Sequence, residues 1–281
     1  MPSKANLGGV FTAILTLVLA MTAANAPAHA DSYSKPRLKF GGATGGIMRA
    51  PNTNQDLDRG NAFAEAWLKL DVELWRQGDT VLKAFMLGNY VRDTKPYAYN
   101  NATKAGIGLS LAMRPNDNLE LTFSARYDWF IENKTAVRRQ GWRYAIDYYY
   151  YKRWEQTEPK EFAGMSKRAN VLKSYGTLAY PGSLIPGDNN IVLTLGGEYS
   201  AEYQIPDSKL LFIPFVDTHF SWDKDGNNYN NKLIPAVGVK LRKPIKNGEI
   251  FFGVKYEVDY RWVDKTVRTG PMIFAGWYKG F

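Results

Sequence analysis

Residues 118–130 read NLELTFSARYDWF, and the alternation in that stretch decides the fold. In an extended chain successive side chains point to opposite sides, so Leu119, Leu121, Phe123, Ala125, Tyr127 and Trp129 share one face. Glu120, Thr122, Ser124, Arg126 and Asp128 share the other. Residues 249–262, EIFFGVKYEVDYRW, repeat the pattern, with Ile250, Phe252, Val254, Tyr256, Val258, Tyr260 and Trp262 opposite Lys255, Glu257, Asp259 and Arg261. One face stays apolar along the whole segment while the other is charged to its middle. That combination suits a strand with hydrocarbon on one side and water on the other.

Working outward, similar segments occur at 37–49, 61–76, 80–91, 103–113, 141–153, 189–203, 210–222, 232–242 and 271–281, with a weaker one at 170–180. The total is twelve, an even number, as single-chain membrane barrels require. Connections alternate in length. Gln77-Gly78-Asp79, Pro115-Asn116-Asp117, Pro206-Asp207-Ser208 and Lys246-Asn247-Gly248 are tight turns, whereas 50–60, 92–101, 132–140 and 223–231 are longer and polar. Short turns at one end and long loops at the other are the barrel pattern. Residues 154–169 fall where parity requires a short turn, so they form either a longer excursion or an additional strand pair. Tyr90, Trp129, Trp142, Trp222 and Trp262 fall at long-loop ends, and Tyr150, Tyr203 and Trp277 at short-turn ends, as interfacial aromatic girdles would. No low-complexity tract, linker or internal repeat suggests a second domain.

The flanks and composition agree. Residues 1–30 hold Lys4, an apolar run from Leu7 to Met21, and Ala28-His29-Ala30, the three zones of a secretory signal peptide, with cleavage expected between Ala30 and Asp31. The expected organisation is a signal peptide over 1–30 and an all-β transmembrane antiparallel up-and-down barrel of about twelve strands over 31–281. The chain has 281 residues and no Cys, which excludes a disulfide scaffold, a thiol enzyme and a Cys zinc site. No metal-ligand spacing and no Gly-rich phosphate loop is present, so neither a metal nor a cofactor is expected. The formal charge is +9, but cations and carboxylates interleave along the strands, which argues against nucleic acid as a partner.

The terminal pattern Ile273, Ala275, Trp277, Phe281 resembles the C-terminal recognition signal of Gram-negative outer-membrane proteins, with Lys279 a departure from it. That resemblance implies the outer membrane as location, and its lipid and lipopolysaccharide as surroundings; Arg138-Arg139 in a long loop could meet lipopolysaccharide phosphates. With apolar residues outward, the lumen-facing set includes Lys69, Lys104, Arg126, Arg143, Arg153, Lys240, Arg242, Lys255 and Arg261. The carboxylates on that face are Glu65, Asp71, Glu73, Glu120, Asp128, Asp147, Glu198, Glu202, Asp217, Glu257 and Asp259. Most of these charges are expected to form cross-strand pairs. Unpaired cations among Lys69, Arg126, Arg143, Lys240, Arg242, Lys255 and Arg261 would draw anions, and Trp67, Tyr149 and Tyr151 could stack on sugar rings. Barrels of about eight strands are filled by side chains and those of about sixteen carry an open channel, so about twelve implies a narrow or partly plugged lumen. In size, charge and architecture the chain is similar to the oligogalacturonate- and sialic-acid-specific porins, which implies passage of acidic saccharides. The same description fits barrels that export anionic exopolysaccharide within an envelope assembly.

One motif points elsewhere. Asp217, His219 and Ser221 share a strand face, and His219 is the single His beyond residue 30. The His-x-Ser resembles that of outer-membrane phospholipase and lipid A deacylase barrels, which implies a base role for His219, a nucleophile role for Ser221 and a lipid ester as substrate. Two departures are that Trp222 follows the Ser where those families have Asn, and that Phe212, Val216, Phe220 and Trp222 make the opposite face the better lipid face.

Overall fold

The protein is a closed antiparallel barrel of twelve long strands in a computed structural model that describes residues 39–50, 61–95, 100–157, 160–182 and 189–281. The signal peptide, its cleavage point and the loop at 51–60 lie outside the described residues. The strands are β1 Lys39–Ala50, β2 Phe63–Gln77, β3 Thr80–Asp93, β4 Ala102–Asn116, β5 Leu119–Glu132 and β6 Arg138–Glu155. They continue as β7 Glu161–Phe162, β8 Met165–Tyr180, β9 Val192–Gln204, β10 Leu211–Asp223, β11 Lys232–Ile245, β12 Gly248–Arg261 and β13 Thr266–Gly280. Each long strand pairs with its neighbour in sequence, β6 pairs with β8, and β13 returns to β1. All twelve expected strands are present, most extended by a few residues at their ends. The stretch after Trp154 is an excursion and not an extra barrel strand pair: β6 and β8 form one long hairpin, and the two-residue β7 folds back on β8 through a turn at Ala163 and Gly164.

Exposure separates the two faces as the alternation requires. Phe40, Met86, Ile107, Val237, Phe252 and Ile273 are each more than half exposed, in a belt that an aqueous protein would bury. Their neighbours one residue along are turned inward. Closure is arranged around small residues on β1. The outer side of Gly46 lies under the Trp277 ring, where a Cβ would come within 2.1 Å of ring carbon, and the inner side of Gly45 lies under Trp67. Phe281 extends the β1–β13 ladder by exchanging backbone bonds with Gly42, at 3.1 and 3.0 Å.

The structure also shows a loop arrangement that recurs at two places on the rim. Asp93 ends β3 and accepts bonds from Asn61 Nδ2 at 3.1 Å, Asn100 Nδ2 at 2.9 Å and the Lys95 N–H at 2.8 Å, while its own N–H donates to Asn101 Oδ1 at 3.3 Å. Asp223 ends β10 and does the same, accepting from Asn230 Nδ2 at 2.8 Å and the Asn227 N–H at 2.9 Å, with its N–H donating to Asn231 Oδ1 at 3.3 Å. Behind each knot the same backbone bond recurs, Thr94 N–H to Ala62 O and Lys224 N–H to Ile191 O, both at 3.0 Å. Strands β3 and β10 stand six places apart in a ring of twelve, so the knots face each other across the long-loop end. In sequence the shared pattern is Asp, five residues, Tyr-Asn-Asn, as in 93–101 and 223–231, followed by Asn133-Lys134-Thr135 and Asp264-Lys265-Thr266. It escapes a sequence reading because the intervening strands share little beyond alternation. In the second copy, Asp264 is held below the usual carboxylate range, mainly by the Thr266 hydroxyl and also by its N–H and by Asn228.

Substituting Gly46 by Leu should lower the unfolding free energy by about 1–3 kcal/mol through overpacking against Trp277. The combined Gly46→Leu, Trp277→Ala chain should recover part of that loss. Urea titration followed by the mobility of unheated protein in detergent gels checks both.

Candidate functional site

The lumen wall is a set of inward side chains whose partners can be read along the ring. Lys240 on β11 donates to Glu198 on β9 at 2.5 Å, passing inside β10, and Lys255 on β12 reaches Asp217 on β10 at 3.3 Å, passing inside β11. A side chain can span an intervening strand only on the concave side of the wall, so these pairs fix which face is the lumen. Glu202, 2% exposed, accepts from Arg153 Nη2 at 2.9 Å and from Arg242 Nη2 at 2.5 Å. Arg242 also lies 3.6 Å from Glu249, and Lys255 lies 3.4 Å from Glu257. Arg261 pairs with Asp259 at 2.9 Å, and Arg126 with Asp128 at 2.8 Å.

Lys240, Arg242, Lys255 and Arg261, nominated from the sequence as anion-attracting, are therefore each matched by a carboxylate. Alternation places them correctly but says nothing about which carboxylate reaches them from two strands away. Their half of the lumen is also apolar at its centre. Ile213, Phe215, Ile234, Met272 and Phe274 are buried there by inward register, with Phe215 and Phe274 edge to face at 6.0 Å and Lys240 Nζ 4.9 Å above the Phe215 ring. This half is packed like a core, which agrees with a narrow or partly plugged lumen.

The opposite half, β2 to β6, is different. Trp67, Lys69, Asn89, Lys104, Arg126 and Asp128 line a cavity of about 250 Å³, which Glu65 also borders. Asn89 Nδ2 donates to Glu65 at 2.5 Å, leaving its Oδ1 buried without a hydrogen bond. Lys69 Nζ lies 4.9 Å over the Phe85 ring and Lys104 Nζ 5.7 Å from the Phe130 ring, and neither forms an ion pair among the described residues. Arg143, directly opposite Arg126 in the β5–β6 register, has its Nε and Nη1 buried with no hydrogen-bond partner. Of the nominated residues, Trp67, Lys69 and Arg126 thus come together at the cavity with Arg143 beside it. Tyr149 and Tyr151 lie further toward the short-turn end, on the inward face beside Tyr175 and Lys173. The sequence reading gave Lys104 no binding role and passed over Asn89 altogether. A lysine on a polar strand face carries no sign that its neighbours are rings and an amide.

Asp217, His219 and Ser221 do share a face, but that face is the lumen. Asp217 is engaged by Lys255, Ser221 is buried, and no hydrogen bond joins His219 to either, so base and nucleophile are not assembled. His219 lies four residues before Asp223, as Asn89 lies four before Asp93, and so occupies the corresponding lumen-wall position in the second half. Among the described residues, no group of three or more acidic, Cys or His side chains is arranged to hold a metal ion.

No family model matches the chain, and no curated protein matches it. Among solved structures the chain is similar to an outer-membrane channel from Pseudomonas putida F1, at 10% identity over 90% of this chain and 100% of that one, with a TM-score of 0.45. It is also similar to the β domain of the Bordetella autotransporter BrkA, at 11% identity over 86% and 100% with a TM-score of 0.41. LpxR from Salmonella typhimurium is similar at 8% identity over 84% of this chain and 99% of that one, with a TM-score of 0.41. At such identities and scores, no activity passes from these proteins to this one.

Truncating Glu202 to Ala leaves Arg153 and Arg242 facing each other without their shared carboxylate. Breaking a buried pair in this way costs about 3–5 kcal/mol. Chemical denaturation of the folded barrel should show a loss in that range, and a loss below about 1 kcal/mol would mean that water already solvates the cluster.

Proposed function

We propose that the protein is a channel of the Gram-negative outer membrane that passes small polar solutes by diffusion, with a preference for acidic saccharides. One observation supports this above others: a barrel closed on itself, apolar outside, encloses a half-lumen in which Lys69, Lys104 and Arg143 form no ion pair among the described residues. Hydrocarbon outside and charge inside is an arrangement that serves to carry polar groups past lipid. The other half is packed with rings and ion pairs, so the route runs along β2 to β6, where Trp67 and the inward Tyr149 and Tyr151 offer flat faces to sugar rings. Lys69, Lys104 and Arg143 raise the local concentration of anions. Solutes enter past the Asp93 and Asp223 knots, which brace the long-loop rim.

The lipid-hydrolase reading has no comparable support, since His219 and Ser221 face away from the lipid and do not meet.

The experiment is single-channel recording of the refolded chain in planar bilayers. Small discrete steps whose reversal potential favours anions, blocked by acidic oligosaccharides, are expected. Ser221→Ala should leave those steps unchanged. A folded barrel that never conducts, or one that prefers cations, overturns the proposal.

A further inference from the structure

We infer that the cavity lined by β2 to β5 is a discrete binding site for one small carboxylate that also carries hydroxyl groups, a sugar acid of about one ring. This rests on reading the lumen as a solute route and adds to it a location and a stoichiometry. Four features of the site point the same way. Lys104 is 9% exposed, lines the cavity and has no ion-pair or hydrogen-bond partner among the described residues, its Nζ lying 5.7 Å from the Phe130 ring. Glu65 and Asp128 line the same cavity, but they are engaged by Asn89 and Arg126, and a buried cation without a direct partner is costly unless an anion reaches it. Arg143 supplies a second unmet cation one strand pair further round, with two of its nitrogens unbonded.

An acceptor is unmet as well. Asn89 Oδ1 is buried without a hydrogen bond among the described residues and lines the same cavity, whereas Asp128 Oδ1 lies 2.8 Å from Arg126 Nε. Oxygen acceptors need donors, and a bare anion such as chloride or acetate brings none, whereas hydroxyl groups do. Trp67 closes one side with an aromatic face suited to the C–H face of a pyranose ring. A cavity of about 250 Å³ accommodates a single six-membered ring and excludes a disaccharide.

The pseudo-twofold repeat isolates what is special here. Three residues after each Asn-Asn pair stand Lys104 in one half and Ile234 in the other, and opposite Phe85 in the first half the second has Phe215. The aromatic framework is kept while the cation is replaced by an aliphatic side chain, and in that half the space is filled by Ile213, Met272 and Phe274. Both halves close with the same Asp-Asn knot, so the frame is shared and the charge difference sits at the cavity.

Calorimetric titration of the detergent-solubilised, folded barrel tests the site without requiring current. The probes are D-glucuronate, with D-glucose lacking the charge and acetate lacking the hydroxyls. Glucuronate should bind with one site per chain, and glucose and acetate at least about tenfold more weakly. Lys104→Met should weaken glucuronate about tenfold or more, Lys104→Arg should retain it, and Ile234→Val, in the packed half, should change nothing. Should Lys104→Met fail to show the gel mobility of a folded barrel, Asn89→Ala replaces it, with a smaller loss expected for glucuronate and none for acetate. Equal binding of the three probes, no binding by the folded wild type, or glucuronate binding untouched by both variants overturns the site. Conductance separates the two proposals: an absent titration signal with anion-selective channels sinks the site alone, and a clear titration with silent bilayers sinks the channel alone.

Discussion

The constraint on which everything else depends is that a chain crossing hydrocarbon must satisfy every backbone N–H and C=O within itself. A sheet does this only by closing, and here closure is the pairing of β1 with β13. That seam joins the two ends of the chain, so its residues are chosen for close approach. Gly45 and Gly46 on β1 leave room for Trp67 inside and Trp277 outside, and the aromatic rings cover backbone that a larger side chain would have forced apart. The aromatic at the interface and the glycine beneath it are one device seen from two strands.

Closure turns half of every strand toward a confined interior, and the interior then has to be reconciled with its own charges. Over most of the wall this is done by pairing across an intervening strand, as Lys240 does with Glu198 and Lys255 with Asp217. Glu202 between Arg153 and Arg242 is the densest case, one carboxylate holding two guanidinium groups on strands either side of it. At Glu202 the desolvation cost in a low dielectric is offset by geometry, since charge-assisted bonds from two guanidinium groups meet at the one carboxylate. The cavity beside Lys104 is the region where the reconciliation is incomplete.

The two Asp-Asn knots show how a barrel can be built from a doubled frame while its lumen diverges. Each knot ties a strand end to the start of the next strand and to the loop between, so the rim is fixed at two opposite points. With the rim held, inward positions are free to become a packed apolar cluster in one half and a cationic pocket in the other. The asymmetry of the lumen is thus a matter of side chains on a nearly symmetric backbone pattern.

By itself the sequence determined the class of fold, the strand set and the two faces, because a period of two is a local property and lipid on one side makes it unmistakable. Residues 118–130 and 249–262 set the parity of β5 and β12, and the other strands were read by the same alternation. It also determined the aromatic girdles, since Trp129, Trp142 and Trp222 lie at strand ends on the apolar face. Only the tertiary structure decided which lumen charges are neutralised. Whether Lys240 or Lys104 carries an unmatched charge depends on side chains two strands distant, brought near by curvature and register that no local pattern records. The likeness of the loops around Asp93 and Asp223 lies in hydrogen bonds that only the folded loops display, most of them between residues two to eight apart, and register made His219 and Ser221 two neighbours on the lumen wall.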